Sequence, residues 1–80
     1  MNHEDLRQLL RARPFRPFRL HVTDGTRYDV PHPEMMMVTR RTIVVGIDGQ
    51  PDEGLADRTV TISLIHVVRI EPLEAHVKGE

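Results

Sequence analysis

The chain has no cysteine and no tryptophan, and only one tyrosine and two phenylalanines among its 80 residues. Without cysteine, neither a disulfide nor a thiolate-held metal can brace the fold. Aromatic residues at 4% leave almost no rings for base stacking, the usual device of proteins that bind single-stranded nucleic acid. A charge excess of one sign is missing too: the formal net charge is −1, which provides no global field to attract a polyanion. No apolar run is long enough to span a bilayer. The first residues carry Glu4 and Asp5 in place of the apolar run of a signal peptide. The expectation is a cytoplasmic protein with no membrane partner.

What is present is a modest apolar content, 39%, carried by Val, Ile, Leu and Met. Eighty residues allow one domain over 1–80 with a small core, for which self-association is a natural supplement.

The strongest local signal is a hairpin. Phe18 to Thr23 alternates apolar and polar residues, Asp24-Gly25 turns the chain, and Thr26 to Val30 returns. An Asp-Gly pair between alternating runs marks a hairpin. A two-residue loop would place Leu20 opposite Asp29 and Val22 opposite Arg27, mixing apolar and charged residues on one face. A three-residue loop, Thr23-Asp24-Gly25 with Gly25 left-handed, pairs Leu20 with Tyr28 and Phe18 with Val30. Only the second keeps the apolar side chains together, so the bulged loop is predicted.

A helix is predicted over 3–12, capped by Asn2, with Glu4 and Asp5 in its first turn and Leu6, Leu9 and Leu10 on one face. Pro14 ends it through Arg13. This lid is expected to dock its leucines over an open end of a barrel. Pro14 to Pro17 is an extended lead-in at a sheet edge, with Phe15 anchoring the crossing. Pro31-His32-Pro33 breaks the second strand. Met35 to Thr39 then forms a strand, in which Met35 and Met37 share one face and Met36 the other. Arg40-Arg41 favours a hairpin turn into Thr42 to Ile47. Residues 48–57, rich in Gly, Pro and acids, form the obvious loop, expected to be the most mobile part of the interior chain. From Arg58, Val60, Ile62 and Leu64 point inward, Ile65-His66 makes a short turn, and Val68 and Ile70 share a side of the last strand. The predicted class is mainly β with one N-terminal helix: a small five- to six-stranded antiparallel barrel of the SH3-like or Sm-like kind over 18–71, followed by a polar tail over 72–80.

Charge is segregated along the chain. Arg7, Arg11, Arg13, Arg16, Arg19 and Arg27 crowd the first third, whereas Asp48, Asp52, Glu53 and Asp57 occupy the loop. Ten of the eleven basic residues are arginine, the side chain suited to bidentate contact with carboxylate or phosphate. His32-Pro33-Glu34 sets an imidazole beside a carboxylate, a pair able to bind metal or move a proton, with His21 or His66 as a further ligand. The two prolines also explain that segment as a strand-breaking corner. His21 is expected to face outward, across from Arg27. His66 is expected to satisfy backbone left unpaired by its turn. No nucleophile–base pair, phosphate-cradling glycine loop or zinc motif occurs.

Two resemblances follow from these segments. The helix, the strand to Asp24-Gly25, the bent return and the ending Ile62 to Ile70 look like the Sm-like fold. In it, Ile65-His66-Val67 is similar to the Lys-His-Ala segment of bacterial Sm-like RNA chaperones, whose lysine and histidine line an RNA pore. His66 corresponds to that histidine. Ile65 stands at the lysine position, and Val30-Pro31 replaces a glycine expected after the second strand. More extensively, residues 14–19 (Pro-Phe-x-Pro-Phe-Arg), 24–25, 32–34 (His-Pro-Glu) and 65–71 (Ile-His-Val-x-x-Ile-Glu) resemble a family of small uncharacterised bacterial proteins. That resemblance implies no activity.

The resulting expectation is a non-catalytic binding module, working by protein–protein interaction or self-assembly as a homo-oligomer, with no cofactor and no small-molecule substrate. The alternative is RNA or single-stranded nucleic acid on an Arg-rich face. A metal-dependent enzyme using His32, Glu34 and His66 is a distant third. The candidate surface comprises Arg7, Arg11, Arg16, Arg19, His32, Glu34 and His66.

Overall fold

Asn2 starts the first element. Its side chain accepts the Glu4 backbone N–H at 2.6 Å, and helix α1 runs His3–Arg11 with Ala12 as its C-cap, one residue shorter than expected. Leu6 is fully buried, and Leu9 and Leu10 pack on the same core, so the i, i+3, i+4 spacing marks the docking face. The computed structural model describes residues 1–73; of the tail expected over 72–80, Pro72 instead ends the last strand, opposite Phe18, and the part beyond Leu73 lies outside the described residues.

Six strands follow among the described residues: β1 Phe18–Val22, β2 Arg27–Val30, β3 Met36–Val38, β4 Thr42–Ile47, β5 Arg58–Ser63 and β6 Val67–Pro72. They form two antiparallel three-stranded sheets, ordered β2-β1-β6 and β3-β4-β5. The mainly β class with one helix is therefore observed, but the closed barrel is not. Pro31 and Pro33 lack N–H donors, and the chain takes a single 3-10 turn over Pro33–Met35, so the ladder of β2 does not continue into β3. A second 3-10 turn, Leu64–His66, carries the chain from β5 in one sheet to β6 in the other, and those two strands do not pair. Helix α1 packs along β3 and not over a barrel end.

The first hairpin has the bulged register: Phe18 faces Val30 and Leu20 faces Tyr28, with Gly25 at φ +90°. The core lies between the sheets. Leu6, Leu20, Val30, Ile43 and Val45 are its largest fully buried side chains, and each such burial stabilises by about 1.5–3 kcal/mol. Phe15 and Phe18 rings meet at 6.0 Å, anchoring the crossing from helix to sheet. Val60, Ile62 and Leu64 face this core as expected.

Arg40-Arg41 does form a hairpin turn: Thr39 N–H donates to Thr42 O at 2.8 Å, and the Thr39 hydroxyl accepts Thr42 N–H at 2.9 Å. Two expectations about facing fail. Met35 lies in the 3-10 turn and is buried beside Met36, while Met37 is 65% exposed, so Met35 and Met37 do not share a face. On β6, Val67 is buried and Val68 is 56% exposed. The pairing with β1 jumps from His21–Arg69 to Val22–Val67, leaving Val68 as the extra residue of a bulge.

Residues 48–57 extend the β4–β5 hairpin into a folded tip. Gln50 and Leu55 bridge it with reciprocal backbone bonds of 2.8 and 3.1 Å around a 3-10 turn at Pro51–Glu53. Gly49 (φ +76°) cannot gain a Cβ, which would sit 2.6 Å from the Leu55 carbonyl.

Candidate functional site

Among the described residues, four strands have no hydrogen-bonded neighbour on their outer side. Of these, β2 has four residues and β3 three, with α1 alongside β3, whereas β5 and β6 have six each. Between the sheets the seam opens into two clefts that share Tyr28. One, of about 490 Å³, is lined by Arg19, Tyr28, Pro31, Met35 and Ile47 among others. The second, of about 370 Å³, lies under the first hairpin and includes Val22, Val60, Ile62 and His66.

Register builds the polar face of the β2-β1-β6 sheet. Asp29, Arg19 and Glu71 stand opposite one another in one row; Arg27, His21 and Arg69 form the next. Arg19 donates to both Asp29 oxygens, Nε to Oδ1 at 2.7 Å and Nη2 to Oδ2 at 3.2 Å. That hydrogen bonding and the carboxylate charge raise the Arg19 pKa, so the guanidinium is committed to an internal partner. The His21 ring pairs with Glu71, Nε2 to Oε1 at 2.9 Å. Its expected place across from Arg27 is observed.

At the hairpin tip, Asp24 Oδ1 accepts the Thr26 hydroxyl at 2.6 Å and the Thr26 N–H at 2.9 Å. These bonds, the hydroxyl first, lower the Asp24 pKa below the usual carboxylate range. Thr23 N–H donates to the His66 carbonyl at 2.9 Å, and Thr23 Oγ1 meets His66 Nδ1 at 3.2 Å. The His66 ring thus bonds a hydroxyl, where a backbone partner was expected, and ties the β1–β2 tip to the link between β5 and β6.

His32 turns to the acidic tip: its Nε2 lies 3.0 Å from Asp52 Oδ1. Glu34 is exposed beside Gly54, where an added Cβ would come 3.7 Å from its Oε2. Among the described residues, no group of three or more His, Cys, Asp or Glu can hold a metal ion.

The seven residues singled out from the sequence are therefore not gathered in one place. Arg7 reaches Glu4 at 3.4 Å, and with exposed Arg11 it lines a groove against β3. Arg16 is exposed in the lead-in to β1. Arg19 belongs to the outer sheet face, His32 and Glu34 to the acidic end, and His66 to the hairpin tip. Sequence reasoning missed Asp29, Glu71, Asp52 and Tyr28. Asp29 was accessible from the hairpin register, since pairing Leu20 with Tyr28 places Arg19 opposite Asp29. No helix among the described residues is long and apolar enough to cross a membrane. Neither protein-family models, nor curated proteins, nor solved structures give a match to this chain.

Proposed function

We propose that the chain is a non-catalytic binding module that acts through the outer edges of β5 and β6, adding a strand from another copy of itself or from a protein partner. The observation that carries this reading is the topology: among the described residues, two six-residue strands each end a sheet with no further strand hydrogen-bonded beyond them. Unpaired edges of that length are templates for strand addition. Exposed apolar side chains sit beside both edges, Ile65 at 77% and Val68 at 56%. The arrangement is consistent with an opened small barrel of the Sm-like or SH3-like kind, whose last strand follows a one-turn link.

Nucleic acid on an Arg-rich face finds less support, because Arg19 is held by Asp29 and the arginines singled out from the sequence are spread over the helix, the lead-in to β1 and the outer sheet face. An enzyme on His32, Glu34 and His66 finds less still, because the two histidines bond different partners in different parts of the fold.

Sedimentation from low to high micromolar concentration, combined with amide exchange, tests the proposal. A closed oligomer with β5 and β6 amides protected is the expected result, and Val68→Lys, at a solvent-facing position, weakens it. A single-chain mass throughout, or an oligomer whose β5 and β6 amides exchange as in the monomer, overturns it.

A further inference from the structure

The charge segregation seen along the sequence becomes spatial in the fold. The carboxylates of Asp48, Asp52, Glu53 and Asp57 all belong to the tip that prolongs β4 and β5. The reciprocal Gln50–Leu55 bridge and the left-handed Gly54, φ +71°, fold that tip. In it, the Asp52 side chain, which meets the His32 ring through Oδ1, is still 96% exposed, and Leu55 is 55% exposed. The tip presents an apolar side chain flanked by acids.

A groove of the opposite character runs between α1 and β3. It has a volume of about 240 Å³ and is lined by Arg7, Leu10, Arg11, Met36, Met37 and Val38. Met37 is 65% exposed, and methionine adapts readily to an incoming side chain. Arg7 and Arg11 lie four residues apart on one helix face. Arg7 has only a 3.4 Å contact with Glu4 in its own helix, and Arg11 has no carboxylate partner among the described residues. No residue of the tip lines the groove in the same chain.

We infer that the acidic tip of one copy seats in the α1–β3 groove of a second copy, Leu55 against Met37 and the Asp52 and Glu53 carboxylates against Arg7 and Arg11. The occupant is a second copy because this chain itself carries the matching surface, apolar centre and charged rim alike. The contact is heterologous, so copies join in sequence and close into a ring only if the rotation between them permits. It rests on the reading of the chain as an association module, but it uses neither β5 nor β6.

Charge reversal with reciprocal rescue tests it, using the full chain and sedimentation at low and high salt. Arg7→Glu with Arg11→Glu, and separately Asp52→Arg with Glu53→Arg, each weaken self-association by about tenfold or more, and mixing the two reversed chains restores it. High salt weakens the wild-type contact by screening its exposed charges. Restoration on mixing also shows that both variants are folded. Unchanged association in either double variant overturns the inference, as does a mixture that stays apart while both chains keep the wild-type circular dichroism spectrum. If only the arginine variant loses association, the groove takes an acidic partner other than the tip, and the inference again fails. Association that survives both reversals but is lost in Val68→Lys leaves the strand-edge reading standing alone.

Discussion

Leu20 stands directly opposite Tyr28 across the first hairpin, and one backbone dihedral permits it. Gly25 at φ +90° closes the three-residue loop; a shorter loop would turn Tyr28 to the outer face and bring Asp29 in. An added Cβ at Gly25 meets nothing within 4 Å, so the cost of substitution there is purely conformational.

Gly25→Ala and Gly49→Ala are therefore expected to differ. The first lowers stability by about 1 kcal/mol through the left-handed penalty alone. The second adds a collision with the Leu55 carbonyl at 2.6 Å and costs more. Urea midpoints of the two variants give the comparison, and equal losses would remove the steric part of this account.

Leu6 carries the attachment of α1. It is fully buried, whereas Leu9 and Leu10 are only partly covered. Leu6→Ala is expected to lose about 2–5 kcal/mol, and Leu9→Ala clearly less. Helical circular dichroism and chemical denaturation report both, and equal effects would show that the helix is held by its whole stripe.

The sequence was most legible where a periodic pattern met a specific turn residue. Alternation around Asp24-Gly25 selected the hairpin register, and Val60, Ile62 and Leu64 faced inward as their spacing required. Legibility failed where two readings of an apolar run have equal periodicity. Val67 and Val68 are both valines, so only the pairing with β1 reveals which is buried. Three consecutive methionines say nothing about a 3-10 turn ending between Met35 and Met36. Closure of a barrel is a tertiary property, and it fails at both seams: at the proline corner between β2 and β3 and at the 3-10 link between β5 and β6. The His32–Asp52 and His21–Glu71 contacts join segments far apart in sequence, and neither residue of either pair marks its partner.

The β6 bulge makes neighbouring valines unequal. Val67→Thr places a hydroxyl in the core and is expected to cost about 1–3 kcal/mol. Val68→Thr faces solvent and is expected to stay within about 0.5 kcal/mol of wild type. Thermal unfolding of the two variants distinguishes them, and the reverse order would place the bulge elsewhere on the strand.

Asp24 makes the hairpin tip sensitive to acid. Its carboxylate is held charged by the Thr26 hydroxyl and N–H, so its folded pKa lies below the ordinary aspartate value of 3.8. The unfolded chain therefore binds the proton more readily, and stability rises with pH across the interval between the two values. The contribution is complete above the ordinary value and is lost as pH falls through the lowered one. Asp24→Asn removes this titration while every other carboxylate still titrates. The stability gap between wild type and variant is expected to be constant at neutral and mildly acid pH and to shrink once the pH drops below the ordinary aspartate range. Denaturant midpoints of both proteins across that range measure the gap, and parallel curves would show that the Thr26 contacts do not persist in solution.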